Sequence, residues 1–144
     1  MTGKIARAEI DINAPPERVW NALVDPALVS QYFFGATVES DFQPGSRIVW
    51  RGEWNGKPFE DHGEILEVVP NELLRLTHFS PLAGKPDEPG NYHTLTYTLE
   101  QRDAATLLVL EQDNNATAEE AEHSAANWRT MLAGIRRTVE ETDS

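Results

Sequence analysis

The chain of 144 residues contains no cysteine, which removes disulfides, thiolate metal sites and cysteine nucleophiles together. Basic residues are scarce. Lys and Arg number 12 against 24 Asp and Glu, a formal charge of -12 with the histidines neutral. A surface so negative repels phosphate backbones and anionic headgroups, which argues against nucleic acid and membrane partners. No window approaches the ~18 consecutive apolar residues that a membrane span needs. Met1 to Ile12 alternates polar and apolar residues and holds no apolar stretch of signal-peptide length. Without disulfides or a targeting segment, the expected location is the cytoplasm. Asn115-Ala116-Thr117 has the spacing of a glycosylation acceptor, but it lacks a secretory context. Gly-x-Ser-x-Gly, Gly-x-Gly-x-x-Gly and phosphate-loop patterns are all missing, so neither a serine elbow nor a nucleotide cofactor is implied.

What is present suits one globular domain spanning residues 1–144. The chain is 40% hydrophobic and 25% charged, and at this length a fold buries roughly two-thirds of the unfolded surface. Ile5–Ile12 alternates like a strand. Asn13-Ala14-Pro15-Pro16-Glu17 starts a helix that buries Val19, Trp20 and Leu23 and stops at Asp25, because Pro26 disfavours helical geometry before it. A second short helix covers Pro26–Gln31, and Gly35 breaks the aromatic run Tyr32-Phe33-Phe34. Strands are expected over Ala36–Phe42, Ser46–Trp54, Lys57–Val69, Leu73–Phe79, Tyr92–Gln101 and Thr106–Gln112, with a hairpin at Asn55-Gly56 and a surface loop over Ser80–Gly90. Thr117-Ala118-Glu119-Glu120 has capping-box spacing. It opens a long helix whose stripe is Ala121, Ala125, Trp128, Leu132, Ile135 and Val139, with a fraying tail at Glu140–Ser144. Strand, two short helices, six strands and one long helix make an α+β fold, in which the long helix must cover the apolar face of a seven-stranded antiparallel sheet.

Several segments carry a family likeness. They are the strand-to-helix run Ile10-Asp11-Ile12-Asn13-Ala14-Pro15-Pro16-Glu17-Arg18-Val19-Trp20-Asn21-Ala22-Leu23, the turn Phe42-Gln43-Pro44-Gly45-Ser46-Arg47, the stretch Gly63–Leu74, and Asn127-Trp128-Arg129-Thr130-Met131-Leu132. The chain resembles the START-related lipid-transfer (SRPBCC) superfamily. Within it, the chain is similar to the bacterial branch related to the C-terminal domain of Aha-type activators of the 90-kDa heat-shock protein's ATPase. The resemblance implies a helix-grip fold, a curved sheet and C-terminal helix enclosing a pocket. Two departures stand out: Asn127 replaces a glycine frequent in relatives, and Glu111-Gln112-Asp113-Asn114 replaces their Thr-His-x-Gly.

By that geometry Tyr32, Phe33, Trp50, Trp54, Trp128 and Met131 surround the pocket. Alternation turns His78 inward with Leu74 and Leu76, and Tyr97 inward with Leu95 and Leu99. With Gln112, His78 and Tyr97 are the candidates for orienting a ligand. Asp61-His62 beside Glu60 and Glu64 suggests a metal or acid–base site, but strand neighbours point to opposite faces, and metal-ligand spacings are missing. The expected function is therefore non-enzymatic binding of a small hydrophobic ligand, by a carrier, sensor or stress-related protein, with no metal or cofactor. The alternatives are an Aha-like interaction module, docking on a chaperone or another protein, and an enzyme similar to the superfamily's cyclases and hydrolases. Monomer and homodimer both remain open.

Overall fold

The computed structural model describes residues 3–32, 36–54, 56–80 and 86–141. Phe33, Phe34, Asn55 and the side chain of Trp54 lie outside the described set. The elements are β1 (Lys4–Ile12), α1 (Pro16–Val24), α2 (Pro26–Tyr32), β2 (Thr37–Glu39), β3 (Arg47–Trp54), β4 (Lys57–Val69), β5 (Leu73–His78), β6 (His93–Arg102), β7 (Ala105–Asn115) and α3 (Ala118–Glu141). The strands form one antiparallel sheet in the order β1-β7-β6-β5-β4-β3-β2. With its long C-terminal helix this is the expected α+β helix-grip architecture.

Local chemistry explains the boundaries. Pro16 sits at the first position of α1, where a missing N–H costs nothing, and Asp25 ends that helix in extended geometry. The Asp25 carboxylate then accepts the Ala27 N–H at 3.0 Å. At α3, Thr117 Oγ1 accepts the Glu120 N–H at 3.0 Å, and Glu120 reaches back to the Ala116 N–H at 3.3 Å. β2 is shorter than expected. Ser40 Oγ accepts the Phe42 N–H at 3.0 Å, and Phe42 takes a positive φ of 52°, so the chain leaves extended geometry early.

β7 runs longer than expected, to Asn115, because its polar end is satisfied inside the fold. Asp113 Oδ1 accepts the Thr94 N–H at 2.6 Å, and the Asn115 amide donates to the carbonyls of Lys4 and Gln112. Asn115 is only 1% exposed, so its amide is no glycan acceptor in the folded chain.

The core follows the alternation. Leu74 and Leu76 of β5, Leu95 and Tyr97 of β6, and Leu108 and Leu110 of β7 pack with Ile12, Val19 and Trp20 and with Leu132 and Ile135 of α3. α3 packs on β1 and β7 and on both short helices, so it covers one end of the inner face. The other end, over β3–β6, is closed by α1, α2, β2 and Phe42.

Candidate functional site

That second end holds the interior site. Four of the sequence candidates meet there: Tyr32 from α2, Trp50 from β3, His78 from β5 and Tyr97 from β6. Aliphatic side chains from α1, α2, β2, β3, β5 and β6, together with Phe42, supply the apolar remainder. The space between them is about 20 Å³, room for one water-sized group. Tyr32 sits close because α3 carries a glycine opposite it; a Cβ at Gly134 would lie 3.1 Å from the Tyr32 Cβ. The Tyr32 hydroxyl donates to the Ala22 carbonyl at 2.8 Å. Burial pushes its phenol well above the ordinary value, and neighbouring Tyr97 adds to this. Burial likewise pushes Tyr97 up.

His78 is the polar point of the wall, and it is not alone. Its Nε2 lies 2.9 Å from Oδ2 of Asp61 on β4, with side chains only 13% and 10% exposed. The Trp50 ring stands edge-on to the imidazole, centroids 5.0 Å apart. Asp61 Oδ1 and His78 Nδ1 are buried without a hydrogen-bond partner among the described residues. An unpaired buried polar atom costs ~1–3 kcal/mol, so two such atoms side by side call for an explanation.

The sequence reading put His78 inward but missed Asp61 as its partner. Opposite faces do separate Asp61 from His62, as the alternation required. The partner instead comes from the neighbouring strand, through the register that pairs Ile65 with Leu76 and His62 with Phe79. Strand pairing was the one signal available, and a bulge between Ile65 and Glu67 blurs it.

The remaining candidates sit elsewhere. Trp128 Nε1 donates to Gln112 Oε1 at 2.8 Å, tying α3 to β7. Trp128 packs beside Ala6, Ala121 and Ala125, and Met131 is buried in the core under α3. None of the three borders the interior space. His93 bonds to the Asp113 carbonyl at 2.8 Å.

His62 faces outward, into a second and more open cleft of about 570 Å³ that also involves Arg47, Glu64, Thr77, Asp87 and Tyr92. Its Nε2 lies 3.0 Å from Asp87 Oδ2 and 2.9 Å from the Tyr92 hydroxyl, which donates to Asp87 Oδ1 at 2.5 Å. Burial, then the Asp87 bond, raises Tyr92 to about 12. The same bond, followed by the nearby imidazole, lowers Asp87. These groups satisfy one another. Among the described residues no three His, Asp or Glu side chains converge as a metal requires.

A comparison with curated proteins returned no match. Comparison with family models matched residues 13–140 to the Activator of Hsp90 ATPase homolog 1-like protein family. Among solved structures, a protein of Cytophaga hutchinsonii is 49% identical, with a TM-score of 0.84 over 99% of this chain and 98% of its own. The Aha1 dimer of Colwellia psychrerythraea is 18% identical, with a TM-score of 0.74 over 98% and 99% of the two chains. CalU16 of Micromonospora echinospora is 18% identical, with a TM-score of 0.72 over 98% and 87%. The last two show a shared fold. The family model covers the strand-to-helix run from Asn13, the Gly63–Leu74 stretch and the tryptophan-bearing helix that carried the resemblance, and the chain belongs to the Activator of Hsp90 ATPase homolog 1-like family.

Proposed function

We propose that this chain binds one small, largely apolar molecule in the interior bounded by Tyr32, Trp50, His78 and Tyr97, and holds it without reacting with it. The observation that carries this reading is the buried Asp61–His78 pair, which sets an imidazole with an unpartnered Nδ1 in an otherwise aromatic and aliphatic wall. An apolar lining with a few placed polar groups is the usual character of a ligand site. A ligand's polar group would relieve a cost that the protein alone leaves standing. The space described is smaller than a ligand, so binding requires the wall to open.

Two observations weigh against the alternatives. Large exposed hydrophobics among the described residues are Ile5 and Leu66, 40% and 41% exposed and on different strands, whereas a docking surface needs a contiguous apolar patch. Among the described residues no serine, threonine or lysine borders the interior space for the imidazole to activate, which supports binding over chemistry.

Native mass spectrometry of the gently purified protein, followed by denaturing analysis, tests the reading. The expected result is an apolar adduct at one per chain, lost on denaturation. A bare chain that also gains no thermal stability from any member of a panel of small apolar molecules would overturn it. The same spectrum reads the oligomeric state, for which the dimeric Colwellia relative provides a precedent.

A further inference from the structure

The polar end of the interior restricts which molecule can fill it, an inference that rests on the ligand-binding reading above. A carboxylate only accepts hydrogen bonds, so the proton in the 2.9 Å contact between Asp61 Oδ2 and His78 Nε2 belongs to the ring nitrogen. In the neutral imidazole the other nitrogen, Nδ1, is then an acceptor. The second carboxylate oxygen, Asp61 Oδ1, is an acceptor as well. These are the two buried atoms without a partner among the described residues. Of the two residues, His78 borders the interior space, so its Nδ1 is the acceptor that a bound molecule can reach. The Asp61 side chain is nine-tenths buried, and the Trp50 indole stands beside the imidazole.

We infer that the site takes a small apolar molecule carrying one hydroxyl, with that hydroxyl donating to His78 Nδ1, and phenols favoured over alkanols. Three features narrow the class. The free space beside His78 is the size of a single oxygen-centred group. A charged head would be costly to bring into such an apolar wall. Trp50 and Tyr97 offer aromatic surfaces against which a phenol ring can pack edge to face. A hydrocarbon would leave Nδ1 unmet, and a carboxylate would place a further acceptor against it.

The test uses three probes of nearly equal shape, toluene, p-cresol and p-toluate, titrated calorimetrically into the whole chain. The expected result is p-cresol binding about tenfold more tightly than toluene, the scale of one buried hydrogen bond, with p-toluate weakest. With 15N-labelled histidine, the His78 Nδ1 resonance should shift with p-cresol and stay still with toluene. The double variant D61L/H78L should fold, because replacing both partners of a buried hydrogen bond by apolar groups of similar shape can be nearly neutral. It should bind toluene and p-cresol alike.

Equal binding of toluene and p-cresol by the natural chain would overturn the hydroxyl assignment while leaving the ligand site standing. A p-cresol preference that survives in the double variant, or tightest binding of p-toluate, would overturn it too. Failure of all three probes, with Nδ1 held by a water that none displaces, would overturn both the assignment and the ligand-binding reading.

Discussion

Tyr32 donates its hydroxyl to Ala22, Tyr92 donates to Asp87, and Tyr97 stands in the interior wall. These are the three tyrosines of the chain, and each is held above the ordinary phenol value of 10.0, Tyr92 at about 12 and the other two by burial. A raised value means that the folded chain keeps protons the unfolded chain releases. The associated stability is complete below pH 10, and Tyr92's share is lost as the pH rises through about 12. An alkaline absorbance titration should therefore show no phenolate step near pH 10 while circular dichroism remains native. Denaturation midpoints in urea should fall steadily above that pH. A phenolate step at pH 10 in the native state would mean that one ring stands in water. At this scale the sequence told which way His78 and Tyr97 face, because alternation settles a face. It could not tell that Asp61 meets His78, because that depends on how two strands slide against each other. Nor could it separate Trp128 and Gln112 from the interior space, since the family geometry names the elements and leaves their separation open.

Helix α3 has no basic residue in its last turn, so the partial negative charge at its carbonyl end is met from outside. Arg18 of α1 donates to the Val139 carbonyl, and the Asn13 N–H donates to the Glu140 carboxylate at 2.9 Å. The turn around Glu140, expected to fray, is thus fastened to the start of α1, and the helix continues to Glu141. Arg18→Met keeps most of the aliphatic stem and removes the charged donor. It should cost ~1–2 kcal/mol and speed amide exchange in the last turn of α3 while leaving its centre protected. Exchange that rises evenly along the helix, or not at all, would show that the contact does not anchor that end. Elements were legible wherever apolar spacing was regular, as in α1, α3 and β6. They were misjudged where polar side chains take over backbone partners: Ser40 cuts β2 short, and Asp113 and Asn115 carry β7 onward. Polar residues at a strand end read as a loop until their partners are known.

For the whole molecule, the surplus of acid decides how the surface behaves. Arg51 bridges Glu39 and Glu60 at 2.6 and 2.8 Å, and Arg75 meets Glu67 at 2.7 Å, all with substantially exposed side chains. Exposed pairs of this kind contribute little and weaken with salt. Against them stands a net charge of -12, whose self-repulsion opposes the compact state and is screened by the same salt. The excess outweighs the pairs, so the melting temperature should rise with sodium chloride. Going from about 0.01 M to about 1 M shortens the screening length from ~30 to ~3 Å. The expected gain is about 1 kcal/mol, roughly 3 °C for a chain near this size. A midpoint that falls over that range would show that the arginine pairs hold more of the fold than the acidic excess opposes. The same field bears on the ligand. A neutral hydroxylated molecule crosses a negative surface without penalty, so p-cresol affinity should be unchanged by salt, whereas an anionic ligand would bind more tightly as salt screens the repulsion. Salt-independent p-cresol binding together with a salt-raised melting temperature would separate a surface built of repelling charge from an interior that works by shape and one hydrogen bond.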